Sequence, residues 1–217
     1  LPLVDLTNLH ARWGLLGWVG LLTIGVAYQV VPMFQVTPLY PSYLTRWLVP
    51  VMFFLLLTWT AADVLTWQQP NGWNAAMSIF VALGFMLFGL TTLYLLWFRK
   101  RSKPDVTVMF WRTAMTSLIV CALLWIAGRF LPQMVVAPSY ALFLGVLFVV
   151  GFGYSAINGM LYKIVPFLVW YHLQSAISQR GIVPNVKQIL PDNITTRQFF
   201  SHLTALAILL AATLWPG

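Results

Sequence analysis

The sequence predicts an all-α fold, a polytopic transmembrane bundle of about six spanning helices with its N-terminus outside. Of the 217 residues, 60% are hydrophobic and only 7% are charged, whereas a soluble domain of this size carries about a quarter of its residues charged. Six apolar segments each approach the ~20 residues that cross a bilayer as a helix. The ten-residue alternation typical of membrane β-barrels does not occur in the sequence.

The predicted spans form one transmembrane domain over residues 1–217. They cover about 13–34, 47–67, 75–98, 108–132, 139–163 and 198–215. The first is uncharged from Trp13 to Phe34, and its glycines leave room for a neighbouring helix or a flat prosthetic group. Residues 164–196 are predicted to be a cytoplasmic interfacial segment and loop. Whether 164–177 extends the fifth helix past a kink at Pro166 or forms a separate interfacial helix stays open.

Basic residues in the short loops predict the orientation, because Lys and Arg accumulate on the cytoplasmic side. The strongest marker follows the third span and consists of Arg99, Lys100, Arg101 and Lys103. This cluster is expected to contact anionic headgroups of the inner leaflet. The net charge of +8 is therefore assigned to a membrane surface. No nucleic acid is expected as a partner, since no nucleic-acid-binding motif accompanies the charge.

Several polar residues interrupt the apolar segments. Asp63 is expected to be an interfacial carboxylate that is hydrogen-bonded to the bundle, with a proton relay as the alternative. Lys163 is expected to extend its ammonium to the inner boundary, with pairing to a cofactor propionate or a lipid phosphate as the alternative. Tyr154, Asn158 and Tyr162 recur every four residues and share a helix face. We expect that face to point into the bundle, because lipid cannot satisfy its hydrogen bonds.

The candidate metal and cofactor ligands are the three histidines, His10, His172 and His202. A haem iron takes two imidazole nitrogens about 4 Å apart, at ~2 Å per bond. His10 lies at the outer end of the first span, while His172 and His202 lie at or near the inner end. Within the chain only the latter two can share an iron, and a second chain or a further helix must complete a site at His10. The alternative for each histidine is a structural role.

Further polar residues are expected to support a cofactor through hydrogen bonds. They are Tyr28, Gln29, Asn158 and Tyr162. Because the chain begins at Leu1 and stops directly after an apolar segment, we expect a processed or trimmed product with helices beyond this window.

The stretch from His10 to Pro32, a histidine followed by a glycine-rich apolar helix, resembles the haem-ligand helix of haem–copper oxidase catalytic subunits. It also resembles the related helices of NnrS-type bacterial haem membrane proteins. The stretch from Asn158 to Leu173 is similar to small bacterial proteins of the oxidase subunit I-like kind. The resemblance implies haem b with His10 as an axial ligand near the outer face, and copper in the full assembly.

The resemblance does not extend to the histidine cluster that holds copper beside a second haem, and no His-x-His pair occurs in the sequence. Oxygen reduction by this chain alone is therefore not expected. The predicted function is a haem-binding protein of the bacterial inner membrane, in electron transfer or in haem, copper or nitric oxide handling. One alternative is a non-catalytic subunit or assembly factor of a larger complex, and another is a small-molecule permease. Expected partners are the bilayer and either other membrane subunits or further copies of this chain.

Overall fold

Six long apolar helices dominate the computed structural model, which describes residues 3–65, 72–101, 105–177 and 189–215. Each is long and apolar enough to cross a membrane, which confirms the predicted fold class. Spans 1 to 6 are Leu6–Gln35, Ser42–Leu65, Gly72–Trp97, Val106–Phe130, Ser139–Gln174 and Asp192–Leu214. A short helix, Pro132–Val136, precedes span 5, and the described residues contain no strand.

Consecutive spans run in opposite directions, so the bundle has two ends. At one end the backbone N–H of Lys100 donates to the carbonyl of Val36 over 3.0 Å. This basic end includes residues 36–41 and 98–101. At the opposite, N-terminal end, Arg12 of span 1 contacts Asp63 of span 2. The side of the membrane that each end faces stays a prediction.

Span 5 and span 6 are both longer than the sequence indicates. A single helix, Ser155–Ile177, continues through Pro166, so residues 164–177 extend the fifth span and do not form a separate helix. Proline is tolerated there because membrane helices recover freed backbone groups through neighbouring elements. Span 6 begins at Asp192, ahead of the predicted start at 198, because uncharged polar residues of its first turns continue the helix. The predicted loop thus shrinks at both ends, and its residues 178–188 lie outside the described ranges.

Two π-helical segments widen spans 1 and 5 where glycines concentrate, at Trp13–Gly20 and Leu147–Tyr154. These segments meet, since a Cβ placed on Gly153 would lie 3.4 Å from a methyl of Val19. A Cβ on Gly151 would lie 2.6 Å from Oγ of Ser117 in span 4, which is closer than real side chains approach. The glycines therefore allow helix contacts that any side chain would prevent.

Span 4 lies in the middle of the bundle and packs against spans 3, 5 and 6. The largest fully buried side chains lie mainly on it and on its neighbours: Trp111, Phe88, Phe110 and Phe152. Span 6 is peripheral, because only 17% of its apolar window is buried, compared with 44% for spans 3 and 5.

Candidate functional site

His10 lies at the N-terminal end of span 1 with its imidazole exposed. Within the part of the chain that the structure describes, no hydrogen bond or ion pair involves this ring. One turn further on, a Cβ on Gly14 would meet nothing within 4 Å. An exposed imidazole beside an open backbone surface leaves room for a flat group to lie against the helix.

His202, by contrast, is buried and already engaged. Its Nε2 lies 2.7 Å from Oγ of Ser155, which is also buried. The same hydroxyl lies 3.3 Å from the carbonyl oxygen of Val150, so it donates there and accepts from the imidazole N–H. The ring packs against Phe110 and Tyr154, with centroids 5.5 and 5.3 Å away. His202 therefore does not fit a haem ligand in this arrangement.

His172 is exposed on the extension of span 5, and its Nδ1 lies 2.8 Å from the carbonyl oxygen of Leu168. The helix rises about 25 Å between Ser155, the partner of His202, and His172. The structure therefore does not bring His172 and His202 together for one iron. The separation arises because span 6 starts at Asp192, which carries His202 deep into the bundle, while span 5 carries His172 past the basic end.

The predicted supporting residues are also dispersed. Tyr28 donates to the carbonyl of Leu44 over 3.1 Å, and its neighbour Gln29 is exposed. Both lie about 27 Å along span 1 from His10, too far to support that ring. The Tyr162 ring packs against Phe110 with centroids 5.7 Å apart and planes tilted by 35°, which links it to the surroundings of His202.

The predicted polar seam on span 5 is only partly turned inward. Tyr154 is 49% exposed, while Asn158 and Tyr162 are half-buried. The Asn158 amide donates to the carbonyl of Tyr154 over 3.1 Å. A side chain that bonds its own helix satisfies its polar group without entering the bundle, so the expectation of an inward face was too strong.

An ion pair at the N-terminal end was missed by sequence reasoning. Nη1 of Arg12 lies 2.5 Å from Oδ2 of Asp63, and the contact is an ion pair without the alignment of a hydrogen bond. The guanidinium lies 3.9 Å above the ring of Trp59, and Trp13 donates to Thr60 over 3.0 Å. Asp63 is thus held to the bundle by a cation of the adjacent span, through an ion pair where the sequence predicted a hydrogen bond. The available signal was the placement of Arg12 and Asp63 near matching ends of consecutive spans.

A second ion pair joins spans 4 and 5 at the basic end. Nζ of Lys163 lies 2.5 Å from Oδ2 of Asp105, so the lysine has a protein partner in place of the predicted lipid boundary. Asp105 also caps span 4, accepting from Val108 N–H over 3.2 Å and from Thr107 over 2.6 Å. Burial opposes ionisation of this carboxyl, but the hydrogen bonds from Lys163 and Thr107 outweigh it, so its pKa lies below the usual value. Gln35 of span 1 donates to Thr107 over 2.8 Å and extends the network.

The predicted lipid-binding cluster lies just after span 3. Lys100 and Arg101 are exposed and Arg99 is half-buried, while Lys103 lies outside the described residues. The exposed members are placed where a headgroup could reach them.

Among the described residues, no three His, Cys, Asp or Glu side chains come close enough to form a metal site. Comparisons with known proteins add no assignment: no protein-family model, curated protein or solved structure matches the chain.

Proposed function

We propose that this protein is a haem-binding, multi-pass membrane protein in which His10 supplies an axial ligand near the N-terminal end of the bundle. The observation that supports the proposal is the exposed imidazole of His10, which has no partner among the described residues, beside the open backbone at Gly14. Haem b is held in membrane helices by imidazole nitrogens. The likeness of residues 10–32 to oxidase haem-ligand helices supports the same assignment.

The residues of this chain fit one half of a haem site. His10 would hold the iron, and Gly14 would leave clearance for the edge of the macrocycle. Trp18, which is 70% exposed on the same helix, would extend an apolar surface along it. When bound, haem b supplies one-electron redox chemistry.

The class of activity follows from what the chain contains. An exposed imidazole at the N-terminal end of the bundle suits electron transfer, or the handling of haem, copper or nitric oxide. Copper would belong to the full assembly. We place the protein in the bacterial inner membrane with its basic end in the cytoplasm, where Lys100 and Arg101 would meet anionic lipids.

The proposal is tested with protein purified in detergent from haem-replete cells and titrated with hemin. We expect a Soret band and a reduced-minus-oxidised difference spectrum in the wild type. His10→Ala should lose both features. His172→Ala, which replaces an exposed histidine at the other end of the bundle, should keep them. Colourless wild-type protein that hemin does not change would overturn the proposal, as would His10→Ala protein with an unaltered spectrum.

A second candidate function, a non-catalytic subunit or assembly factor, is supported by span 6. Only 17% of its apolar window is buried, and its exposed residues include Arg197, Ser201 and Thr204. Polar groups on a lipid-facing helix favour contact with partner helices. Co-purification of a larger complex whose amount is unchanged by His10→Ala would favour this candidate over haem binding.

A further inference from the structure

Span 1 presents one continuous face that no other described element covers. Its exposed residues from Trp18 to Met33, here termed the span 1 stripe, are Trp18, Leu22, Gly25, Val26, Gln29 and Met33. The opposite face of the same helix is buried in the bundle, with Ile24, Ala27 and Val31 fully inaccessible. His10 lies N-terminal to the stripe, on a part of the helix where Leu6, Thr7, Asn8 and Ala11 are exposed as well.

The stripe is open to close approach by another helix. A Cβ on Gly25 would meet nothing within 4 Å, and the same holds for Gly14 near the other end of the stripe. Glycines on a lipid-facing surface let a second backbone come near, and in membranes such packing replaces the hydrophobic effect as the source of helix association.

Gln29 adds a polar group to this lipid-facing surface. It lies within span 1, its side chain is exposed, and among the described residues it has no hydrogen-bond partner. Hydrocarbon cannot satisfy a carboxamide. The group carries two donors and one acceptor oxygen, so it is complementary to a second carboxamide of the same kind.

We propose that a second copy of this chain docks on the span 1 stripe in a parallel two-fold dimer. A two-fold axis along the membrane normal places each residue at the same membrane depth as the equivalent residue of the second chain. Gln29 then meets the partner's Gln29, each amide donating one N–H to the oxygen of the other, and the glycines allow the two span 1 helices to approach. This part of the proposal depends only on the stripe.

The same symmetry completes the haem site, a consequence that rests on the proposed function. A bis-imidazole iron needs two histidines at one depth, and within the described chain His10 has no counterpart at its own end of the bundle. The partner's His10 lies at that depth by symmetry. The dimer interface would then bring a second imidazole to hold the same group.

The test is disulfide trapping in native membranes, with Cys121 replaced by alanine. Leu22→Cys reports on the stripe, and Leu90→Cys on span 3 is the matched control, since the two leucines are 52% and 50% exposed. We expect at least a five-fold larger dimer fraction for Leu22→Cys than for Leu90→Cys. Adding Gln29→Leu should lower the trapped fraction about 3- to 30-fold at limiting protein density, the range expected for one interhelical hydrogen-bonded contact.

Equal trapping at the two positions would overturn the dimer, and so would a Leu22→Cys fraction that Gln29→Leu leaves unchanged. Trapping of Leu22→Cys to a different membrane protein, and not to itself, would also overturn it. Running the assay with and without hemin separates the two proposals. If a dimer forms in protein that binds no haem, the dimer proposal stands and the haem proposal fails. If the protein binds haem but is never trapped as a dimer, the haem proposal stands and the dimer proposal fails.

Discussion

Neutralising Asp105 should destabilise the bundle by about 1–2 kcal/mol. Its ion pair with Lys163 has side chains 31% and 25% exposed, between the surface pairs worth about 0.2–1 kcal/mol and the buried pairs that cost about 3–5 kcal/mol to break. Asp105→Asn keeps an oxygen that can cap span 4 at Val108, so it isolates the charge. Asp105→Ala also loses the cap and should cost about 1 kcal/mol more.

The assay is thermal unfolding in detergent micelles, read by intrinsic fluorescence. For a chain of this size, 1 kcal/mol corresponds to a shift in Tm of about 2–4 °C. Asp105→Asn should therefore lower Tm by about 2–8 °C. A double-mutant cycle with Lys163→Met should show that the two single changes are not additive, because each removes the same ion pair. Additive effects, or an Asp105→Asn protein as stable as the wild type, would refute the reasoning.

The same pair predicts a pH dependence with a definite sign. The pKa of Asp105 is lowered in the folded protein, so folding favours the ionised form and the stabilisation is present above the unfolded pKa of about 3.9. It is lost as pH falls through the lower folded pKa. The difference in stability between wild type and Asp105→Asn should be constant from pH 5 to 7 and shrink below about pH 4. A difference that grows on acidification would contradict the lowered pKa of Asp105.

Three further predictions concern the packing of the spans and the ion pair between Arg12 and Asp63. Gly151→Ala should cost about 1–3 kcal/mol by forcing a methyl into the serine of span 4 that Gly151 faces, whereas Gly145→Ala, where a Cβ meets nothing within 4 Å, should be neutral in the same unfolding assay. His202→Ala should lower stability by about 2–4 kcal/mol, because it removes a hydrogen bond and leaves a cavity. It should leave any haem spectrum unchanged, and loss of the spectrum in folded protein would contradict the structural role of His202. Asp63→Asn should cost about 1–2 kcal/mol by removing the ion pair with Arg12, and an unchanged Tm would show that the pair contributes nothing.

The sequence predicts the spans well because lipid imposes a simple rule: a helix that crosses must be long, apolar and almost uncharged. The uncharged run after Trp13 and the basic cluster after span 3 are local features that need no tertiary information. Span ends are harder, since polar residues such as those after Asp192 can extend a helix beyond its apolar stretch. That extension moved His202 away from the end of the bundle.

Pairings between spans depend on packing, and no local pattern encodes them. Asp105 and Lys163 are 58 positions apart, and Ser155 and His202 are 47 apart. The glycines at 151 and 153 are visible in the sequence, but their π geometry and their contacts with other spans are not. His10 could be predicted as a ligand candidate from its place before a glycine-rich helix, because that placement depends on sequence neighbours alone.

The absorption spectrum of the purified protein at fixed hemin concentration, compared between wild type and His10→Gln, tests the central claim most directly. If His10 is the ligand, the wild type should show a Soret band that shifts on reduction. The variant should show no Soret band, or only the band of free hemin. Identical spectra for the two proteins, each verified as folded by its unfolding transition, would contradict the account.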